Sequence, residues 1–311
     1  MIPIDIVSAL TLSIRDAVRP HLGLLTSRRI SGIAASGDAT FAIDDVAEDA
    51  IVEFIEREGL SIAYYSEDKG LIEFGTDPQG VLIIDPIDGT RPAAAGVEAC
   101  VVSVAYADYS NPTIGSVKCG AIAEIKSDAV YVVERGRGVR CTDGAGKSFA
   151  PMLLPITELR DAPISFEVVA RPFEWIGTAL SGIVNSASLR GGCFLFNSTA
   201  FSLTRLVTGQ LAGVIDIGNR ILRDRPESHP RFADLGGGRS IGLYSYDIAA
   251  AALIALEAGA TVTDAYGNSF DPMPLLDTSE SNLTSMVAAS TPELHAKLLA
   301  EIEAGLSRLK I

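Results

Sequence analysis

Cysteine and histidine are scarce in this 311-residue chain: there are four cysteines and three histidines. Cys100, Cys119, Cys141 and Cys193 include no C-x-x-C pair, and His21, His229 and His295 are scattered. This argues against a disulfide framework and a His-rich zinc site, and it predicts reduced, structural thiols. Positive charge is also short. The chain has 25 Lys+Arg against 39 Asp+Glu, a formal net charge of −14. A general nucleic-acid or anionic-membrane binder needs a basic face, so neither partner is expected. A phosphate-bearing small substrate stays open, because backbone N–H groups or a metal can hold an anion locally. No stretch approaches the ~18 uncharged apolar residues of a membrane span. The opening MIPIDIVSALTLSIRDAVRP lacks the basic start and apolar core of a signal peptide. A soluble, cytoplasmic protein is expected. There is no internal repeat, and Gly191-Gly192 and Gly236–Gly238 lack the G-x-G-x-x-G spacing of a dinucleotide site.

What is present is an ordinary globular composition, 48% hydrophobic and 21% charged. The length fits one large α/β unit or about two domains, with a core large enough to need no staple. Helical periodicity covers residues 4–18 and 44–58. Asp45 and Glu48 resemble a capping box at the second start, and Gly59 is a stop. Strands are predicted at Ser61–Tyr65 and at Val81–Ile84, a continuous apolar run that suits burial on both faces. Residues 100–107 and 114–125 read as paired strands, and Arg135–Gly138 as a hairpin turn. Pro151 and Pro155 mark a boundary between residues 1–150 and 151–311. In the second half, 164–169 and 211–216 read as strands, and 172–184 and 198–208 as helices. Residues 217–243 carry five arginines and three consecutive glycines, and they read as a loop or lid. Helices at Ser245–Glu257 and from Thr291 to about Leu309 close the chain, with a strand at Thr261–Asp264 between them.

The strongest local signal is Asp85-Pro86-Ile87-Asp88-Gly89-Thr90, directly after the buried run. Two carboxylates three apart cannot share one face of a regular strand, but they can converge on a cation if the chain wraps around it. Mg²⁺ takes oxygen ligands, commonly one or two carboxylates plus waters and substrate phosphate. The Ile87 carbonyl could add a ligand, and Gly89 and Thr90 offer N–H groups for phosphate where a helix begins. Read alone, the hexapeptide also fits a strand ending in an Asp-Gly turn. Glu67-Asp68 alone fits a solvated loop, and Asp247 alone a helix-dipole partner. The aspartate spacing and position exclude a haloacid-dehalogenase nucleophile. An EF-hand loop lacks its remaining ligands.

Taken together, Glu67-Asp68, the Asp85–Thr90 motif and Tyr246-Asp247-Ile248-Ala249-Ala250-Ala251 resemble the inositol monophosphatase family of metal-dependent phosphatases, a superfamily that includes fructose-1,6-bisphosphatases. Gly37–Thr40 with Ile43-Asp44, Glu134–Gly138, Ser198-Thr199-Ala200 and Asp216 extend the likeness over most of the chain. The resemblance implies a layered αβαβα sandwich of α+β and α/β halves and a homodimer. It implies Mg²⁺-dependent hydrolysis of a small polyol or sugar phosphate, inositol-1-phosphate first and fructose-1,6-bisphosphate second. It also implies two to three Mg²⁺ ions. Glu67, Asp85 and the Ile87 carbonyl would hold the first, and Asp85, Asp88 and Asp247 the second. Glu67 would hold a weaker third through water. Thr90, helped by Asp44, would activate water, and Gly89 and Thr90 would take phosphate oxygens. Ser198, Thr199 and Asp216 would face the substrate. Arg91 would either join the phosphate or pair with Glu98. Asn197 stands where a glycine is usual, and the long stretch from Asp216 to Asp247 departs from the family pattern. The rival of another class is a non-catalytic relative that binds a phosphorylated metabolite.

Overall fold

The computed structural model describes residues 3–35 and 37–311. Helix α1 (Pro3–Val18), the hairpin of β1 (Ile30–Ile33) and β2 (Ala39–Phe41), and helix α2 (Ala42–Arg57) come first. α1 buries Val7, Leu10, Ile14 and Val18, and α2 buries Ile43, Ala47, Ile51 and Phe54. This three-and-four spacing lays one apolar stripe on each helix. α2 starts at Ala42, ahead of the expected Asp45/Glu48 box. The Asp44 carboxylate takes the Phe41 N–H at 2.7 Å, while Glu48 turns inward and is buried.

Next come β3 (Ile62–Ser66), β4 (Gly70–Phe74), β5 (Gly80–Asp88), the short α3 (Thr90–Ala95), β6 (Val101–Asp108), β7 (Cys119–Glu124), β8 (Val130–Glu134), β9 (Val139–Thr142) and β10 (Ser148–Phe149). They form an eight-stranded sheet in the order β10-β9-β8-β7-β6-β5-β3-β4. Every residue of β5 is buried, as its unbroken apolar run predicts. The strand expected from residue 114 begins only at Cys119, because Ile114–Ser116 forms a 3₁₀ turn.

The remaining elements are β11 (Ile164–Phe166), α4 (Phe173–Ala187), β12 (Cys193–Phe194), α5 (Thr199–Val207), β13 (Gly213–Asp216), α6 (Gly218–Asp224), α7 (His229–Leu235), α8 (Ser245–Glu257), β14 (Thr261–Thr263), β15 (Met286–Ala289) and α9 (Pro292–Leu306). Their strands form a second sheet in the order β12-β11-β13-β15-β14. α1 and α2 cover one face of the large sheet, and α5 and α8 fill the space between the sheets. α4 and α9 close the outer face of the second sheet. The layers therefore read αβαβα, as the sequence resemblance implies. Two sheets sandwich α8, so its Ile248–Ala255 run is buried all round. Small residues allow the close approach: a Cβ on Gly120 of β7 would lie 2.9 Å from the Ala250 Cβ.

The expected arginine-rich loop is a correction. Much of residues 217–243 is helical, and Ile221, Leu222 and Phe232 enter the outer core. Arg220 is nine-tenths buried. It donates to Asp224 at 2.6 Å, Glu303 at 2.5 Å and the Ala265 carbonyl at 2.7 Å. Arg223 donates to the Leu283 carbonyl at 3.0 Å, and Arg231 to Glu174 and Asp234. Arg220, Arg223 and Arg231 are thus tied into the outer layer, while Ile241, Gly242 and Leu243 at the end of the segment line the cleft that holds Asp85 and Asp88. No helix among the described residues is long and apolar enough to cross a membrane.

Candidate metal and phosphate site

The site is built on an irregularity at the end of β5. Asp85 pairs with Ser103 of β6, but Asp88 pairs with Val101, so β5 carries one extra residue. This bulge falls at Pro86-Ile87, where proline has no N–H to give the ladder. It resets the alternation of side chains, so carboxylates three apart face the same region. Gly89 follows with φ of 92°. A Cβ there would sit 2.4 Å from the Ala99 carbonyl, so only glycine fits. Thr90 begins α3, and its hydroxyl donates to the Ile87 carbonyl at 3.1 Å.

α8 brings the third carboxylate from far along the chain. Asp247 sits in its first turn and accepts the Tyr244 N–H at 2.6 Å. Single carboxylate oxygens of Asp85, Asp88 and Asp247 all lie within 4.8 Å of one another. Glu67 lines the same cleft, just past the end of β3, the parallel neighbour of β5. Asp85 Oδ1 is buried and has no hydrogen-bond partner.

The electrostatics of the protein alone are unfavourable. Burial pushes Asp85, Asp247 and Glu67 well above the usual carboxylate range. Asp88 raises the first two further, and Asp247 raises Glu67. Burial also raises Asp88, to about 6, although the Ala200 N–H at the start of α5 holds it down. Asp44 is pushed up to about 8 by burial and then by Asp68, against the pull of the Phe41 N–H and the Thr90 hydroxyl. Oxygen-only donors, mutual repulsion and an orphaned buried oxygen are what a hard divalent cation would resolve. The donor set therefore fits Mg²⁺.

On the opposite wall the structure reassigns several residues. Ser198 caps its own helix by accepting the Phe201 N–H at 3.2 Å, and it donates to the Asp88 carbonyl at 3.2 Å. Ser198 and Thr199 still line the cleft. Asp216 does not line it. Arg171 grips its two oxygens, with Nε–Oδ1 at 3.0 Å, and the Gly218 N–H also binds Oδ1. The expected substrate contact Asp216 is instead held by Arg171 and the Gly218 N–H, outside the lining of the cleft. Arg91 pairs with Asp38 at 2.8 Å. The alternative partner, Glu98, is taken by Lys126. Asn197 adopts φ of 54°, a left-handed conformation that asparagine tolerates better than most residues.

Sequence reasoning missed Glu167 and Arg171, which both line the cleft. Glu167 is only 5% exposed, its Oε1 has no partner, and burial pushes it up to about 8. One signal was present: Glu167 directly follows β11, as Asp85 directly follows the apolar run Val81–Ile84.

Comparison with known proteins agrees with this geometry. The model of the "Inositol monophosphatase family" matches residues 21–306. A fructose-1,6-bisphosphatase/inositol-1-monophosphatase of Methanothermobacter thermautotrophicus is 28% identical over 297 residues, covering 93% of this chain and 92% of the relative. An inositol-1-monophosphatase of Aeropyrum pernix is 29% identical over 238 residues, covering 76% of each. The solved structure of a Thermotoga maritima IMPase superposes with a TM-score of 0.69 at 19% identity, covering 99% of both chains. The chain therefore belongs to the inositol monophosphatase family and is a phosphoric monoester hydrolase.

Proposed function

We propose that the chain hydrolyses a small polyol or sugar phosphate with Mg²⁺, two to three ions per site, and that inositol-1-phosphate is the first substrate to try. The observation that carries this reading is the convergence of Asp85, Asp88 and Asp247 around the unpartnered Asp85 oxygen. Glu67, Asp85, Asp88, Asp247 and the Ile87 carbonyl would hold the ions. Bound Mg²⁺ supplies an acidified water and stabilises charge on the leaving oxygen. The Thr90 hydroxyl has one proton and two acceptors, the Ile87 carbonyl and the Asp44 carboxylate. Thr90 could take a proton from water while passing its own to Asp44, and the Ile87 carbonyl would be free to help hold an ion. Gly89 and Thr90 N–H groups would receive phosphate oxygens, and Ser198 and Thr199 would flank the ester.

The reading extends to a cytoplasmic homodimer with halves at 1–150 and 151–311. Four unpaired cysteines suit a reducing compartment. Exposed Val97, Phe194 and Leu195 offer an apolar patch beside edge strand β12 for a second copy. Fructose-1,6-bisphosphate is the second substrate, since the Methanothermobacter relative carries both activities in its name. The test is phosphate release from a panel of sugar and polyol phosphates across a Mg²⁺ titration. Mg²⁺-dependent turnover supports the reading. Mg²⁺ binding with no turnover of any ester favours the non-catalytic alternative.

A further inference from the structure

Glu167 is a buried carboxyl left unsatisfied on the wall of the cleft. It directly follows β11, is only 5% exposed, and lines the space that holds Asp85 and Asp88. Buried polar groups are almost always hydrogen-bonded, and each exception calls for a missing partner. Glu167 Oε1 has no partner among the described residues. The cation on the same lining does not supply one: Arg171 donates to both Asp216 oxygens and to the Val169 carbonyl. Asn197 Oδ1 is a second buried acceptor without a partner on that lining. Ser198 ties Glu167 to the carboxylate loop. It gives its N–H to Glu167 and its hydroxyl to the Asp88 carbonyl, the latter at 3.2 Å. A group that reaches Glu167 therefore lies beside a phosphate held at Asp88, among the first carbons of the leaving group. The cleft encloses about 90 Å³, so the occupant of this wall is compact.

The chemistry of the missing partner follows from what each group offers. A phosphate dianion presents acceptors only and sets negative charge against Glu167. An apolar carbon leaves Oε1 unpaired. A hydroxyl both donates and accepts, so it satisfies a carboxyl whether ionised or protonated, and a carboxamide in either orientation. We infer that Glu167 is a specificity-determining residue of the cleft: it takes a hydroxyl carried by the carbon next to the ester carbon, and so favours esters with that hydroxyl over the same esters without it. The inference deepens the phosphatase reading of the cleft and rests on it. It also gives the substrate-facing role on this wall to a residue of the β11 end, since Asp216 is held by Arg171 outside the lining.

The probes are glycerol 2-phosphate and isopropyl phosphate, assayed with Mg²⁺. They differ only in the two hydroxyls on the carbons beside the ester carbon. Wild type should favour glycerol 2-phosphate in kcat/KM by about tenfold or more, because a site built to hydrogen-bond a hydroxyl rejects the analogue that lacks it. Glu167→Leu, which keeps the bulk, and Glu167→Ala, which opens the wall to water, should each lower that ratio by about tenfold. Two variants keep the test intact if one of them fails to fold, and a melting curve tells which one is read. A merely structural Glu167 would depress both esters alike and leave the ratio standing. That result, or a wild-type ratio near one, overturns the inference. If neither ester is hydrolysed, the phosphatase reading fails by itself, and calorimetric titration with the same two esters in Mg²⁺ reads the wall. Tighter binding of glycerol 2-phosphate that is lost in the variants supports the role of Glu167, and equal or absent binding of the pair overturns it.

Discussion

The molecule buries carboxylates in two contrasting ways. Asp216 is sealed against Arg171, and Glu124 against Arg205 with the Tyr131 hydroxyl at 2.9 Å from Glu124. Each acid there meets a cation supplied by the chain. In the cleft, Asp85, Asp88, Glu67 and Asp247 face one another, and the charge balance has to come from outside. A buried charge needs a partner. Where the chain provides one the site is structural, and where it does not the site is built to receive an ion.

Substitutions should act with opposite signs in the two regions. The largest effect is expected from Asp85→Asn, which should lower the rate of ester hydrolysis by at least ~10²-fold, because the carboxylate would touch two metals. The same variant should melt at a higher temperature than wild type in chelator, since one source of repulsion is gone. Near-normal turnover would sink the site assignment. Arg171→Met should instead destabilise the fold by about 3–5 kcal/mol, because it leaves Asp216 buried without its cation. Pairing it with Asp216→Leu should restore most of that loss in a denaturant titration. A single variant as stable as wild type would erase the contrast.

The smallest effect is a slope. Asp44 and Glu167 are pushed up to about 8 and Asp88 to about 6, against about 4 in an unfolded chain. Between about pH 4 and 8 the folded form binds more protons than the unfolded one, so metal-free stability should fall as pH rises through that window. Saturating Mg²⁺ should flatten the slope at the cleft. Melting curves across pH in chelator and in Mg²⁺ provide the measurement, and an identical slope in both would break the proposed role of the cleft acids.

Much of this was legible in the sequence for a physical reason. Val81–Ile84 carries its burial in its composition, and Asp85–Thr90 is a compact motif whose residues are neighbours along the chain. The layered fold followed from the resemblance. What escaped detection depends on contacts distant in sequence. Arg171, in the turn after β11, meets Asp216 at the end of neighbouring β13, and nothing near either residue announces the partner. Residues 217–243 read as a loop or lid because the acceptors of their arginines, Glu303, Ala265 and Leu283, lie far downstream. The start of α2 was misplaced because Asp44 serves the Phe41 N–H, so the true cap lies upstream of the more obvious Asp45/Glu48 pair.

Both ends of α8 are tied down. Its first turn holds Asp247, and at its far end the Glu257 carboxylate accepts the Gly136 and Gly138 N–H groups of the β8–β9 hairpin at 2.7 and 3.0 Å. With its middle sealed between two sheets, this helix has no cheap local opening. Its interior amides belong with the slowest-exchanging hydrogens, which open only with the whole molecule. Asp247 is thereby anchored to the most durable part of the protein, and thermal fluctuation of the outer layers can proceed without dispersing the acids of the cleft.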